Sequence, residues 1–299
     1  MAKHTTKITI IILLMFLITQ FLGLWIVNYY AQPENVLPFG MDTPEIEDHN
    51  TAVDIISLVV AFAIAIGLFF LLQKKRSKHI IRAWFFIVVL IALGIFFTAL
   101  FNFPLGLAYI GLLIAIPIAF FKVFRRNILV HNLSELMIYP AIAAVFVPFL
   151  NVNGAIALLT IVSVYDMWAV WKSGLMQKMA KFQMEEVKVF GGFLIPYLTK
   201  KQREQLKKLR KQKTKSKSKQ KGIKVNLGLL GGGDSAFPMI VAGIVLVHLG
   251  LWPAIFTIFG AFLGLALLLF FSDKKKFYPA MPYISYGALI FLGISQLIF

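Results

Sequence analysis

The 299 residues contain no cysteine, only 14% charged residues and just 13 acidic side chains. Without a thiol there is no disulfide framework, no thiolate metal site and no cysteine nucleophile. With 59% hydrophobic residues, including 29 Phe, too little polar material remains to cover a water-soluble globule. A soluble enzyme is excluded. His4, His49, His79, His131 and His248 are scattered without ligand spacing, so no metal site and no cofactor is expected.

What is abundant is apolar sequence, at a mean hydropathy of +0.81. A spanning helix takes about 20 apolar residues, so nine would consume about 180, the hydrophobic share observed here. Candidate runs lie at Ile8–Tyr29, Ala52–Leu72, Ile80–Phe101, Leu105–Phe124, Glu135–Leu150, Gly154–Trp171, Leu227–His248, Leu251–Phe271 and Pro279–Phe299. The first follows a short basic start but is too long for a cleaved secretory leader, so a retained span is expected. The expected fold class is therefore an all-α polytopic membrane protein with nine spans and no internal repeat.

Positive residues in short loops stay on the cytoplasmic side. Lys3 and Lys7 precede span one, and the first loop carries Glu34, Asp42, Glu45, Glu47 and Asp48 without a Lys or Arg. Basic groups then alternate with uncharged turns: Lys74 to Arg82, Lys122 to Arg126, the loop after Trp171, and Lys274 to Lys276. Nine spans with the N-terminus inside and the C-terminus outside satisfy every loop. The chain then divides into a six-helix part (residues 1–180), a cytoplasmic loop (181–224) and a three-helix part (225–299).

Twelve of the 30 Lys and Arg fall between Lys200 and Lys221, a density of like charge that resists folding. The tract reads as a solvated inner loop leaning on anionic lipid. No aromatic residue is interleaved with it, so no nucleic-acid partner is expected. Ahead of it, Lys181–Leu198 mixes apolar and charged residues and is expected to form an interfacial amphipathic helix, broken near Gly191, Gly192 and Pro196.

An ionised carboxylate in hydrocarbon costs at least about 2.5 kcal/mol, so acids inside spans mark function. Two are expected there: Asp166 in span six and Asp234 in span seven, with Asp54 and Glu135 placed at span entrances. Helical rise puts Asp166 about 9 Å from the inner edge and Asp234 at most about 15 Å from it, on adjacent spans of opposite direction. Each acid has a plainer explanation alone. Asp234 is readable as the N-cap of a helix starting at Ser235, and Asp166 as a partner of Lys172. Together they suit aspartyl proteolysis, in which one carboxyl stays protonated while the other takes a proton from water. Gly231, Gly232 and Gly233 then remove side-chain bulk beside Asp234, allow positive φ and let an extended substrate strand approach the main chain closely. A substrate helix must first unwind, and its freed amides need backbone partners in lipid. Pro279-Ala280-Met281-Pro282 either lines the site or begins the last helix.

Tyr165-Asp166, Gly231-Gly232-Gly233-Asp234 and Pro279-Ala280-Met281 resemble, in order and span number, the Tyr-Asp, Gly-x-Gly-Asp and Pro-Ala-Leu motifs of the presenilin and signal peptide peptidase family. Met281 stands where the family usually has Leu. The resemblance implies an intramembrane-cleaving aspartyl protease with Asp166 and Asp234 as the catalytic pair. It also implies substrate contacts from Tyr165, Gly231, Gly233, Pro279, Ala280 and Met281. Its orientation is like presenilin, implying transmembrane or signal-peptide-like substrates whose N-terminus faces outside. The compact chain is similar to archaeal homologues, implying an archaeal cell membrane and no obligatory accessory subunit. The competing class is a transporter or channel whose two acids relay protons or bind a cation. The inner-side depth of both acids and the apolar outer halves of spans six and seven argue against it.

Overall fold

A computed structural model describes residues 6–41, 78–125, 127–173, 190–197, 226–272 and 278–299, with isolated positions between them. Its helices are α1 (Thr6–Tyr30), α2 (Lys78–Leu100), α3 (Ala108–Phe124), α4 (Ile128–Phe146), α5 (Val152–Trp168), α6 (Gly232–Leu249), α7 (Leu251–Phe271) and α8 (Met281–Ile298). Eight helices among the described residues are long and apolar enough to cross a membrane. The second expected span, residues 52–72, lies mostly outside the described residues, as does the lysine tract. The described residues also include two short strands, β1 (Gly192–Tyr197) and β2 (Asn226–Gly231).

Local sequence explains two helix starts. Asn127 caps α4 by accepting from the Leu129 and Val130 amides, and Asn151 caps α5 by accepting from Gly154. Because of the Asn127 cap, α4 begins seven residues before the expected Glu135 and runs through Pro140 to Phe146. Glu135 is therefore not at a span entrance. It is 2% exposed and ion-paired with Lys122, which sits in the last turn of α3 rather than in a loop. A charge removed from water this far persists only with such a partner.

Helix α1 packs on α4, α6 and α7 and buries Ile12, Phe16 and Ile26 completely. Its buried Gln20 donates to the Ser235 carbonyl at 2.9 Å, tying α1 to the first turn of α6. The tightest helix pair is α7 on α8, where Gly260 and Gly264 lie one turn apart. A Cβ on Gly264 would run into the carbonyl of Tyr283, and one on Gly260 into that of Gly287. Small residues spaced this way let two backbones meet where lipid supplies no hydrophobic drive. Gly264→Ala is therefore expected to force α8 away from α7, at about 1–3 kcal/mol, read as a lower unfolding midpoint of the detergent-solubilised protein.

The ribbon departs from the expected all-helical reading. Strand β1 is antiparallel to β2, with Gly192 opposite Gly231 and Tyr197 opposite Asn226. The stretch 192–197 is thus extended, not the end of an amphipathic helix; the remainder of 181–198 lies largely outside the described residues. Similarly, the seventh span does not begin as helix at Leu227. Residues 226–231 are strand, and helix starts only at Gly232.

Candidate active site

Asp166 lies in the last turn of α5, just before the helix opens into a π-helical segment, Ala169–Ser173. Its carboxylate is 5% exposed, and Oδ2 accepts from the Met281 amide at 3.0 Å. The Ala280 amide faces the same carboxylate. These amides are free to bond outward because Ala280 and Met281 begin α8, and the first amides of a helix have no intrahelical acceptor. The Pro279–Pro282 segment starts a helix, and its Ala280 and Met281 amides face a buried acid. Lys172 is exposed and does not bond Asp166. One turn before Asp166, Ser163 is hydrogen-bonded to Ser285 at 2.8 Å, which fastens α5 to α8 beside the acid.

Asp234 arrives from the other side. Its helix begins at Gly232, so Gly231 is the N-cap and Asp234 the third helical residue, not the cap of a helix from Ser235. From that position the carboxylate turns back on the Gly231 amide, the reach-back half of a capping box. It is 8% exposed and lies within electrostatic reach of Asp166. Packing of α5 on α6 thus unites the two acids singled out from sequence.

The glycines act through space rather than through unusual backbone. None of Gly231, Gly232 and Gly233 has a positive φ, contrary to expectation; Gly231 sits at −62°. A Cβ at Gly231 would stand 2.9 Å from Asp234 Oδ2, and one at Gly232 2.8 Å from the Tyr139 hydroxyl. Gly233 is exposed, on the open side of the helix start. Pro279 and Met281 are buried and Ala280 is half-buried beside Asp166. Tyr165 is not drawn in: its ring is 43% exposed and lies against Trp168, at a centroid distance of 6.1 Å.

Sequence reasoning missed the ribbon's contribution. Asn132 on α4 takes both the amide and the carbonyl of Leu194, at 2.9 and 2.8 Å. In a strand both groups of one residue point the same way, so Leu194 faces away from β2 while Phe193, Ile195 and Tyr197 face toward it. Their partners Leu230, Gly228 and Asn226 face back, leaving Leu227, Leu229 and Gly231 directed outward from the other edge. Among the described residues nothing bonds the outward backbone groups of Leu227 and Leu229. The open edge of the ribbon thus leads straight to Gly231 and Asp234. A hint lay in the Leu-Gly-Leu-Leu-Gly run before Gly232, where two glycines disfavour helix.

Comparisons with known proteins bear on the family and the fold. Residues 13–299 match the family described as "Signal-peptide peptidase, presenilin aspartyl protease". A comparison with curated proteins finds no match. Among solved structures, a presenilin family intramembrane aspartate protease in one crystal form is similar with a TM-score of 0.64 and 19% identity, over 97% of this chain and 99% of that one. A second crystal form gives a TM-score of 0.62 and 18% identity, over 96% and 97% respectively. Nothing in these likenesses favours an ion pathway. The family match spans almost the whole chain, so the chain belongs to the signal-peptide peptidase and presenilin family and is an aspartyl endopeptidase that cuts peptide bonds within the membrane.

Proposed function

We propose that Asp166 and Asp234 are the catalytic pair of this protease. The observation that carries the assignment is the meeting of two buried acids from adjacent helices, each steadied by a backbone amide at a helix start. Two carboxyls in one apolar site share a proton, because the second negative charge is strongly disfavoured. The ionised member takes a proton from water as that water attacks the peptide carbonyl. The protonated member donates to the developing oxyanion, giving a tetrahedral diol; a proton then passes to the leaving amine and the carbon–nitrogen bond breaks. The amides of Met281 and Gly231 hold the carboxylates in place without titrating themselves.

The substrate is a transmembrane segment, unwound locally at the cut. The outer edge of β2, which nothing bonds among the described residues, supports this reading, because an extended substrate laid along it gains backbone partners that lipid does not provide. Gly233, exposed at the strand-to-helix junction, gives that strand room. Pro279, Ala280 and Met281 border the opposite side. The alternating basic loops support nine spans, with the span at residues 52–72 included, the N-terminus inside and the C-terminus outside. The Lys200–Lys221 tract, on the inner side in this topology, is suited to anionic lipid.

The decisive experiment incubates the purified full chain, in lipid, with single-span substrates and maps fragments by mass spectrometry, with and without an aspartyl-protease transition-state mimic. Cuts inside the span that the mimic suppresses are the expected result. Cuts confined to the loops, or insensitive to the mimic, would defeat the assignment.

A further inference from the structure

Strand β1 has two edges, and neither is left to the membrane. One pairs with β2. Along the other, Asn132 forks onto the amide and carbonyl of Leu194, and His131 Nε2 lies 2.7 Å from the Gly192 carbonyl. A ring nitrogen facing a carbonyl must carry hydrogen, so His131 donates there. Gly192 and Leu194 are two residues apart, so their outward groups recur at the spacing that a neighbouring strand would use. Two consecutive side chains of α4 therefore replace a third strand. The replacement is firmly mounted: α4 is capped by Asn127 just ahead, and Glu135, one turn later, is ion-paired with Lys122 of α3.

Gly192 pairs in register with Gly231, and the Gly191 carbonyl accepts from the Gly232 amide at 3.3 Å. What holds β1 therefore also holds the N-cap of the helix that carries Asp234. We infer that Asn132, assisted by His131, is a positioning residue: a side-chain surrogate strand that locks the β1–β2 ribbon to α4 and so fixes where Gly231 and Asp234 meet a substrate. Asn132 is half-buried and bonds no group of either acid, so it acts through the ribbon and not on the reacting atoms.

The cleavage part of the test rests on the protease reading above; the exchange part does not. In the full chain in detergent, Asn132→Leu keeps the branched outline of the side chain and removes both bonds. Amide hydrogen exchange over Gly192–Tyr197 is expected to quicken by about ten-fold, while exchange in α7 stays unchanged. With a single-span substrate, kcat falls and the cuts spread over neighbouring peptide bonds, because the ribbon's register against the acids has loosened. Asn132→Gln, which retains an amide fork, restores part of both properties. Should Asn132→Leu lose protection throughout the chain, Asn132→Ser, smaller and still polar, carries the same comparison.

Unchanged exchange over Gly192–Tyr197 overturns the inference. So does faster exchange with the wild-type cutting pattern and kcat intact. If the wild-type chain cuts no substrate, the protease reading fails by itself, and the exchange comparison alone decides whether Asn132 holds the ribbon.

Discussion

Changing either Asp166 or Asp234 to asparagine is expected to reduce intramembrane cleavage by on the order of 10⁴-fold or more, while the protein still purifies and unfolds as the wild type does. The two halves of this expectation have different origins. Asparagine matches aspartate in shape and keeps a carbonyl oxygen. In Asp166→Asn that oxygen still accepts from the Met281 amide, and in Asp234→Asn it still accepts from the Gly231 amide. Removing a buried charge next to another acid also takes away a repulsion. What is lost is the chemistry, since an amide neither takes a proton from water nor shares one with its neighbour. Cleavage is read with a single-span substrate at equal protein concentration, and folding by thermal unfolding in detergent. Measurable turnover by either variant would exclude the pair as the catalytic acids.

A second large effect separates geometry from stability. Gly231→Ala places a methyl 2.9 Å from Asp234 Oδ2, closer than carbon and oxygen tolerate. The next nearest atom is the carboxyl carbon of the same side chain, at 3.5 Å, so the clash is relieved when the end of one side chain swings aside. That movement costs the fold little. It is costly for the reaction, because a displacement of about 1 Å in a reacting group is worth about 100-fold in rate. The expected result is a loss of kcat near that size with an unfolding midpoint close to wild type. Gly264→Ala should do the opposite, since its methyl meets the backbone at Tyr283 and no side chain can yield. An equal loss of stability in both variants would mean that Gly231 is a packing residue.

How far the sequence spoke depended on the range of the interaction involved. Apolar runs of helical length are local, and eight of the expected spans meet helices of the described structure. The acids were legible because charge in hydrocarbon is costly, and the three short motifs made their pairing specific. Glu135 was misplaced because the boundary of its helix depends on an Asn127 cap and a Lys122 partner thirteen positions away. The ribbon was hidden for a related reason. Gly192–Tyr197 contains a proline and no clear alternation, and what keeps it extended is a strand that begins 29 residues after it ends and an asparagine sixty-two residues before Leu194. Short apolar runs such as Leu227–Gly231 do not distinguish strand from helix by periodicity. Of the reasons for singling out the glycines, positive φ does not hold, since their φ values are ordinary; missing bulk beside Asp234 does, and the Tyr139 hydroxyl makes a second demand of the same kind.

The bond from the Met281 amide to Asp166 joins residues 115 positions apart. During synthesis, α5 emerges and inserts long before α8 exists, and at that stage Asp166 has neither this amide nor Asp234 beside it. Asp234 arrives with α6, but the amide that holds the Asp166 carboxylate is supplied only when the final helix has settled against α5 and α7. With Asp166 and Asp234 as the proposed pair, a chain that has inserted α6 but not α8 is expected to hold both acids with only one of them fixed by a backbone amide.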